Sequence, residues 1–175
     1  MRHLLILTLL TLTACGFHLR GSVAIPPYLK TVQVQDASPA TRIAPDLERA
    51  LRNEGVIVTD DAAQANAVLR LQSESFTRRV QAVDASGKAQ EYGLQYSVVF
   101  SVLGPDGTAW LSNASVSTRR DLRFDEGAVL GAGDEQAQLQ AEMRAEAVRG
   151  ILRQLARATP PRADGQTAPA AGGAP

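Results

Sequence analysis

The chain has 175 residues, 18 Lys and Arg against 18 Asp and Glu, two histidines and one cysteine. That length suits one domain with a single sizeable core, and a net charge of zero gives no draw toward nucleic acid. One cysteine excludes a disulfide framework, and two histidines leave a zinc site or a Ser/His/Asp or Cys/His arrangement short of candidates.

The chain opens with Arg2 and an apolar run over residues 4–12, closed by the small residues Thr13 and Ala14. This is a secretory signal, too short to span a bilayer. Leu12-Thr13-Ala14-Cys15 looks like a bacterial lipobox. That likeness implies a diacylglyceryl group on the Cys15 thiol, cleavage of residues 1–14 and acylation of the new amine. One acyl chain alone holds a membrane only marginally, and several on one residue make the anchor nearly permanent. Gly16, standing where Asp would follow, favours the outer membrane by resemblance to Gram-negative sorting rules. Residues 15–30, with Gly16, Gly21, Pro26 and Pro27, read as a lipidated tether.

The domain is expected over residues 31–158. Thr31-Val32-Gln33-Val34-Gln35 alternates as a first strand. Pro45 suits the first turn of a helix, with Asp46 and Glu48 near its N-terminus, Leu47, Ala50 and Leu51 on one face, and Gly55 as the residue that ends it. Val56-Ile57-Val58 is a short apolar run, at most a strand fragment. Residues 67–80 are long enough for a second full strand. Leu69 and Leu71 share one parity while Phe76 and Val80 share the other, so the strand must change face through a bulge or leave the sheet.

After a turn at Ala85-Ser86-Gly87-Lys88 comes the clearest period in the chain. Tyr92, Leu94, Tyr96, Val98, Phe100 and Val102 alternate with small or polar residues, as in a half-buried strand. Gly104-Pro105-Asp106-Gly107 is a turn, and residues 110–121 are the answering hairpin strand, with Trp110, Ala114 and Val116 inward. Residues 123–134 read as irregular. Asp134 then caps a helix from Glu135 to about Ala158 whose stripe is Leu139, Met143, Val148, Ile151, Leu152 and Leu155. Pro160-Pro161 stops it, and the Ala/Gly/Pro-rich residues 159–175 are expected to be disordered. The predicted fold is α+β: a two-layer sandwich with two helices on one face of a four-stranded mixed sheet, the first two strands parallel through a right-handed crossover.

Little in the chain points to catalysis. Once residues 1–14 are removed, the remaining histidine is His18, in the tether. The acidic pairs Asp60-Asp61, Asp125-Glu126 and Asp134-Glu135 fall in turns or at helix starts, where acids cap. Gly131-Ala132-Gly133 lacks the context of a phosphate loop. No metal or cofactor is implied. The sheet face opposite the helices would carry Gln95, Ser97, Ser101, Ser112, Asn113, Ser115 and Ser117, polar but nearly uncharged. A wet partner surface and a plain solvated face both fit that composition.

Cys15-Gly16-Phe17-His18-Leu19-Arg20-Gly21 resembles the start of mature LptE-type lipopolysaccharide-assembly lipoproteins. Glu91-Tyr92-Gly93-Leu94 resembles the start of that family's central strand. Arg119-Arg120 closes the next strand, Val129-Leu130-Gly131 opens the last helix, and Glu142-Met143-Arg144 through Leu155 matches that helix. The resemblance runs from Cys15 to about Leu155. It implies a non-enzymatic plug inside the LptD outer-membrane β-barrel that assists barrel assembly and lipopolysaccharide insertion, and that binds lipopolysaccharide directly. In the family, basic residues before the central strand and before the last helix are implicated in lipid contact. Here the first loop keeps Lys88. Ala132 and Gly133 stand where the second basic residue would be expected, and Arg119, Arg120 and Arg123 are its nearest substitutes. The runner-up reading is a generic lipid-anchored periplasmic scaffold of another envelope complex.

Overall fold

The computed structural model describes residues 25–36, 41–123 and 129–160. Strand β1 is Thr31–Asp36, helix α1 Ala44–Asn53, β2 Ile57–Val58, β3 Ala67–Val83, β4 Ala89–Leu103, β5 Ala109–Arg123 and helix α2 Val129–Leu155. Both helices contribute to one apolar cluster with one face of the sheet. The α+β expectation holds with one correction: the sheet has five strands, not four, in the order β2-β1-β3-β4-β5. The added strand is the Ile57–Val58 fragment, parallel to β1. Two residues are too few to show alternation in a sequence.

The way α1 ends explains that extra strand. Gly55 has φ 81°, the left-handed conformation that glycine adopts without strain. Its N–H donates to the Arg52 carbonyl, and that of Val56 to the Leu51 carbonyl, the paired bonds of a Schellman turn. Val56 and Leu51 are both buried beneath it. The turn delivers the chain beside β1, where the Ile57 N–H meets the Lys30 carbonyl at 2.8 Å.

β1 and β3 are parallel, as expected, while β3, β4 and β5 form antiparallel hairpins. The face change in β3 is a bulge at Gln72, between the pairs Leu71–Phe100 and Ser73–Val99. Leu69 and Leu71 reach the core before it, and Phe76 packs on the core after it. Tyr96, Val98 and Phe100 are fully buried, together with Met143, Leu152 and Leu155; Leu139 packs at the margin. Full burial of such a side chain stabilises by roughly 1.5–3 kcal/mol.

Helix α2 starts at Val129, so Asp134 lies inside it and does not cap it. Gly131 and Gly133 suggest a loop, but a helix-interior glycine costs only about 1 kcal/mol, which continuous helix can absorb. The Pro27–Leu29 segment is a 3-10 turn that already places Leu29 in the core. Cys15, the signal, most of the tether and residues 161–175 lie outside the described residues.

Candidate functional site

The face of the sheet turned away from the helices is the first candidate surface. Register aligns Ser75, Ser97 and Ser117 in a row across β3, β4 and β5, with Ser73, Val99 and Ser115 in the next row. Gln95 Nε2 donates to Ser117 Oγ at 3.3 Å. Further along, Gln81 Nε2 donates to Asp121 Oδ1 at 3.1 Å, crossing the middle strand. Gly93 makes that crossing possible, because a Cβ there would stand 2.0 Å from Gln81 Nε2. The face is thus tied together laterally by short polar side chains.

One end of this sheet is the β3–β4 turn. Asp84 Oδ1 accepts from the Ser86 N–H at 2.8 Å and the Lys88 N–H at 3.0 Å, and Gly87 supplies the positive φ. The Ser86 hydroxyl, then the Lys88 N–H, hold the Asp84 carboxyl below its usual range. Lys88 is exposed on this rigid turn. Arg123 reaches the same end, opposite Glu91, and Arg119 lies two same-face steps back on the bare face, opposite Gln95; both are exposed. Arg120 has the other parity. It points to the helix side, where Nη2 pairs with Glu146 Oε2 at 2.5 Å. The structure therefore brings Lys88 and Arg123 to one end of the sheet, places Arg119 about 13 Å back from Arg123 on the same face at ~3.3 Å per residue, and leaves Arg120 on the opposite face.

The same end carries a feature that composition did not single out. Arg78 stacks its guanidinium 4.6 Å from the centre of the Tyr92 ring, and its Nη1 donates to Gln136 Oε1 at 2.8 Å. Val80 and Val83 are exposed nearby, at 54% and 58%. Val80 pairs with Tyr92 across the strands and shares its face. Positive charge therefore stands beside uncovered apolar surface at the tip. The signal was the parity switch in β3, which puts Phe76, Arg78 and Val80 on the helix side.

At the opposite end the chain enters and α2 finishes. The Tyr28 hydroxyl donates to the Ala158 carbonyl, and the Tyr28 ring meets Trp110 edge-on at 5.7 Å. The tether thus joins the domain beside the C-terminus of α2, at the end far from Lys88. Among the described residues no group of three or more His, Cys, Asp or Glu is placed to hold a metal, and no helix is long and apolar enough to cross a membrane.

These features define a helix-on-sheet domain with a bare, hydroxyl-rich sheet face and a basic, apolar tip. A family model described as "LptE: Lipopolysaccharide-assembly" matches residues 29–155, and the chain belongs to that family. It is 32% identical over 162 residues to the LPS-assembly lipoprotein LptE of Photorhabdus laumondii, covering 89% of this chain and 87% of the relative. It is 30% identical over 150 residues to the LPS-assembly lipoprotein LptE of Pectobacterium atrosepticum, covering 85% and 80%. Among solved structures, an uncharacterized lipoprotein B of Nitrosomonas europaea superposes with a TM-score of 0.69 at 26% identity, covering 81% of this chain and 90% of the other.

Proposed function

We propose that this chain is an outer-membrane lipoprotein, acylated at Cys15, whose domain plugs an LptD-type β-barrel and helps insert lipopolysaccharide into the outer leaflet. The observation that carries the reading is the bare, hydroxyl-rich face of a long sheet. Strand β4 alone has 15 residues, which at ~3.4 Å each is roughly 50 Å. A bilayer with its headgroups is about 40–45 Å thick. A domain of that length, entered by its tether at one end, matches the depth of a barrel lumen, and the interior of such barrels is polar. Family membership across residues 29–155 supports the same role.

Lipopolysaccharide contact falls in this reading at the β3–β4 tip. Lipid A presents phosphates beside acyl chains, and the tip presents both kinds of surface: Lys88 at its turn, Arg123 and Arg119 on the bare face, and Arg78 beside the exposed Val80 on the helix side. Charge-assisted contacts to phosphate are the stronger class of hydrogen bond. Arg120 is the weakest of the four candidates because Glu146 already occupies its guanidinium.

Two measurements test the proposal. Gentle detergent extraction should copurify an LptD-type barrel; recovery with no barrel refutes the plug and favours the generic scaffold. Lys88→Glu with Arg119→Glu should weaken lipopolysaccharide binding while fold and barrel copurification persist. Unchanged binding would reduce the tip to a solvated edge.

A further inference from the structure

Helix α2 divides its exposed charge by sign. Its N-terminal half exposes Asp134, Glu135 and Glu142, and the later stretch exposes Arg149, Arg153 and Arg157 at intervals of four residues. That spacing puts Arg149 and Arg153 on one face of the helix, about 6 Å apart along its axis at ~1.5 Å per residue, and Arg157 follows in the turn just past the helix end. None of the three makes an ion pair or side-chain hydrogen bond among the described residues. Other cations of the helix layer are engaged: Arg120 by Glu146, Arg144 by Asp46, Arg52 by Glu48.

The helix macrodipole favours cations only within the last turn. It accounts for Arg153, which lies in that turn. It does not account for Arg149, a turn further back, nor for Arg157, which lies beyond the end of the helix at Leu155. The stripe also has a definite place in the molecule. Ala158, one residue past Arg157, accepts the Tyr28 hydroxyl, so the basic stripe ends beside the point where the tether enters the domain. Lys30, also exposed, stands two residues from Tyr28. The acids Asp60 and Asp61 follow β2, at the edge of the sheet farthest from the β4 and β5 strands that α2 covers.

We propose that Arg149, Arg153 and Arg157 dock the outer face of α2 on anionic phospholipid headgroups of the leaflet that holds the anchor. The proposal rests on the Cys15 anchor, which confines this end of the domain to that surface. Guanidinium groups match phosphate oxygens through paired N–H donors. Basic residues near an anionic leaflet each contribute about 1 kcal/mol, so three together change affinity on the order of 100-fold. Docking would hold the tether end of the domain at the level of that leaflet, with the Lys88 tip at the far end, in the barrel lumen of the proposed function.

The test uses the full mature chain with Cys15→Ala, so that acyl chains do not mask the weaker contact. Vesicles of phosphatidylethanolamine with phosphatidylglycerol should bind it, phosphatidylcholine vesicles should not, and salt should weaken the binding. Arg149→Gln, Arg153→Gln and Arg157→Gln together should lower the affinity on the order of 100-fold, with the thermal midpoint preserved. Arg70→Gln with Arg79→Gln, which removes two charges from the bare sheet face, should leave it unchanged. Equal vesicle binding by the triple variant and the parent overturns the proposal. So does an equal loss in the Arg70/Arg79 variant, which would signal net charge rather than a site. If the triple variant keeps vesicle binding but recovers less barrel, the stripe reads an acidic protein wall and the phospholipid assignment is wrong. Mass spectrometry of the wild-type N-terminus tests the anchor separately, so failure of the anchor and failure of the stripe give different results.

Discussion

Glu74→Ala should destabilise the domain by about 2–3 kcal/mol, well beyond an ordinary surface change. Glu74 lies just past the β3 bulge and does two jobs at once. Its Oε1 accepts the Tyr96 hydroxyl at 2.6 Å, and its Oε2 accepts the N–H groups of Arg42 at 2.5 Å and Ile43 at 3.0 Å, at the start of α1. The residue at the N-cap position, Ile43, offers no side-chain cap, so a strand supplies what the helix lacks. Tyr96 is fully buried, and burial first, then the Glu74 bond, pushes its hydroxyl well above the usual tyrosine value. Without Glu74 that hydroxyl is stranded, at a cost of about 1–3 kcal/mol. Loss of a cap costs about 1 kcal/mol more. Water can enter the half-buried Glu74 site, which trims the sum. Urea unfolding measures the loss directly. A cycle with Tyr96→Phe should give a coupling of about 1–2 kcal/mol, because the double variant strands no hydroxyl. A Glu74→Ala loss below about 0.5 kcal/mol, or a cycle without coupling, would refute the bridging role.

Gly150→Ala should destabilise despite alanine's better helix propensity, because the new Cβ would stand 2.7 Å from Val116 Cγ1 on β5. Overpacking costs about 1–3 kcal/mol against about 1 kcal/mol of propensity gained, and adding Val116→Ala should recover part of the loss in the same unfolding assay. Asp36→Asn should slightly raise the thermal midpoint at neutral pH, with the difference vanishing in acid. Desolvation first, then the charges of Glu74 and Glu48, raise the folded-state pKa of Asp36 above its ordinary 3.8. The folded state therefore holds this proton longer than the unfolded chain, and the stability that protonation supplies is lost as pH rises through the folded-state value. Because Asp36 is exposed, the effect is small; an Asn variant less stable at neutral pH would contradict that direction.

The sequence made the core of the β-hairpins legible because alternation has one period and one meaning. Tyr92 to Val102 could be assigned by parity alone, and the parity break between Leu71 and Phe76 announced the bulge. Helix α1 was legible for a similar reason: Pro45, Asp46 and Gly55 are start and stop signals with mechanisms. What stayed hidden depends on contacts between distant segments. Glu74 as the tertiary cap of α1 is 31 residues from Ile43. The β2 strand exists because a Schellman turn aims two residues at β1. The candidate site was half legible. Lys88, Arg119 and Arg123 could be named as basic residues near loops, but the separation of Arg120 from them follows from which face each position takes. The pairing of Arg78 with Tyr92 needed the β3 register, which only the bulge sets.

The bulges also divide the sheet. The Ser112–Asn113 step in β5 lies opposite Ser101 of β4, between the pairs made by Phe100 and Val102, and Gln72 bulges from β3 one step further on, between the pairs made by Phe100 and Val99. Asn113 takes φ 48° there, a left-handed conformation that asparagine tolerates better than most residues. The nearly buried Ser101 hydroxyl accepts from Gln72 Nε2 at 2.9 Å and lies 3.4 Å from the Asn113 N–H. One hydroxyl therefore answers both irregular strands along a single line. On the tether side of that line the sheet has all five strands, with α1 packed on β1 and β2. On the tip side, among the described residues, it narrows to β3, β4 and β5, and α2 packs on β4 and β5. Helix-side parity continues past the region the helices cover, which is why Val80 is exposed while Leu69 and Leu71 are not. The switch of face that keeps the lower strand in the core thus also creates the basic, apolar tip. A change that removes the bulge, such as deleting Gln72, should disturb the core and the tip together.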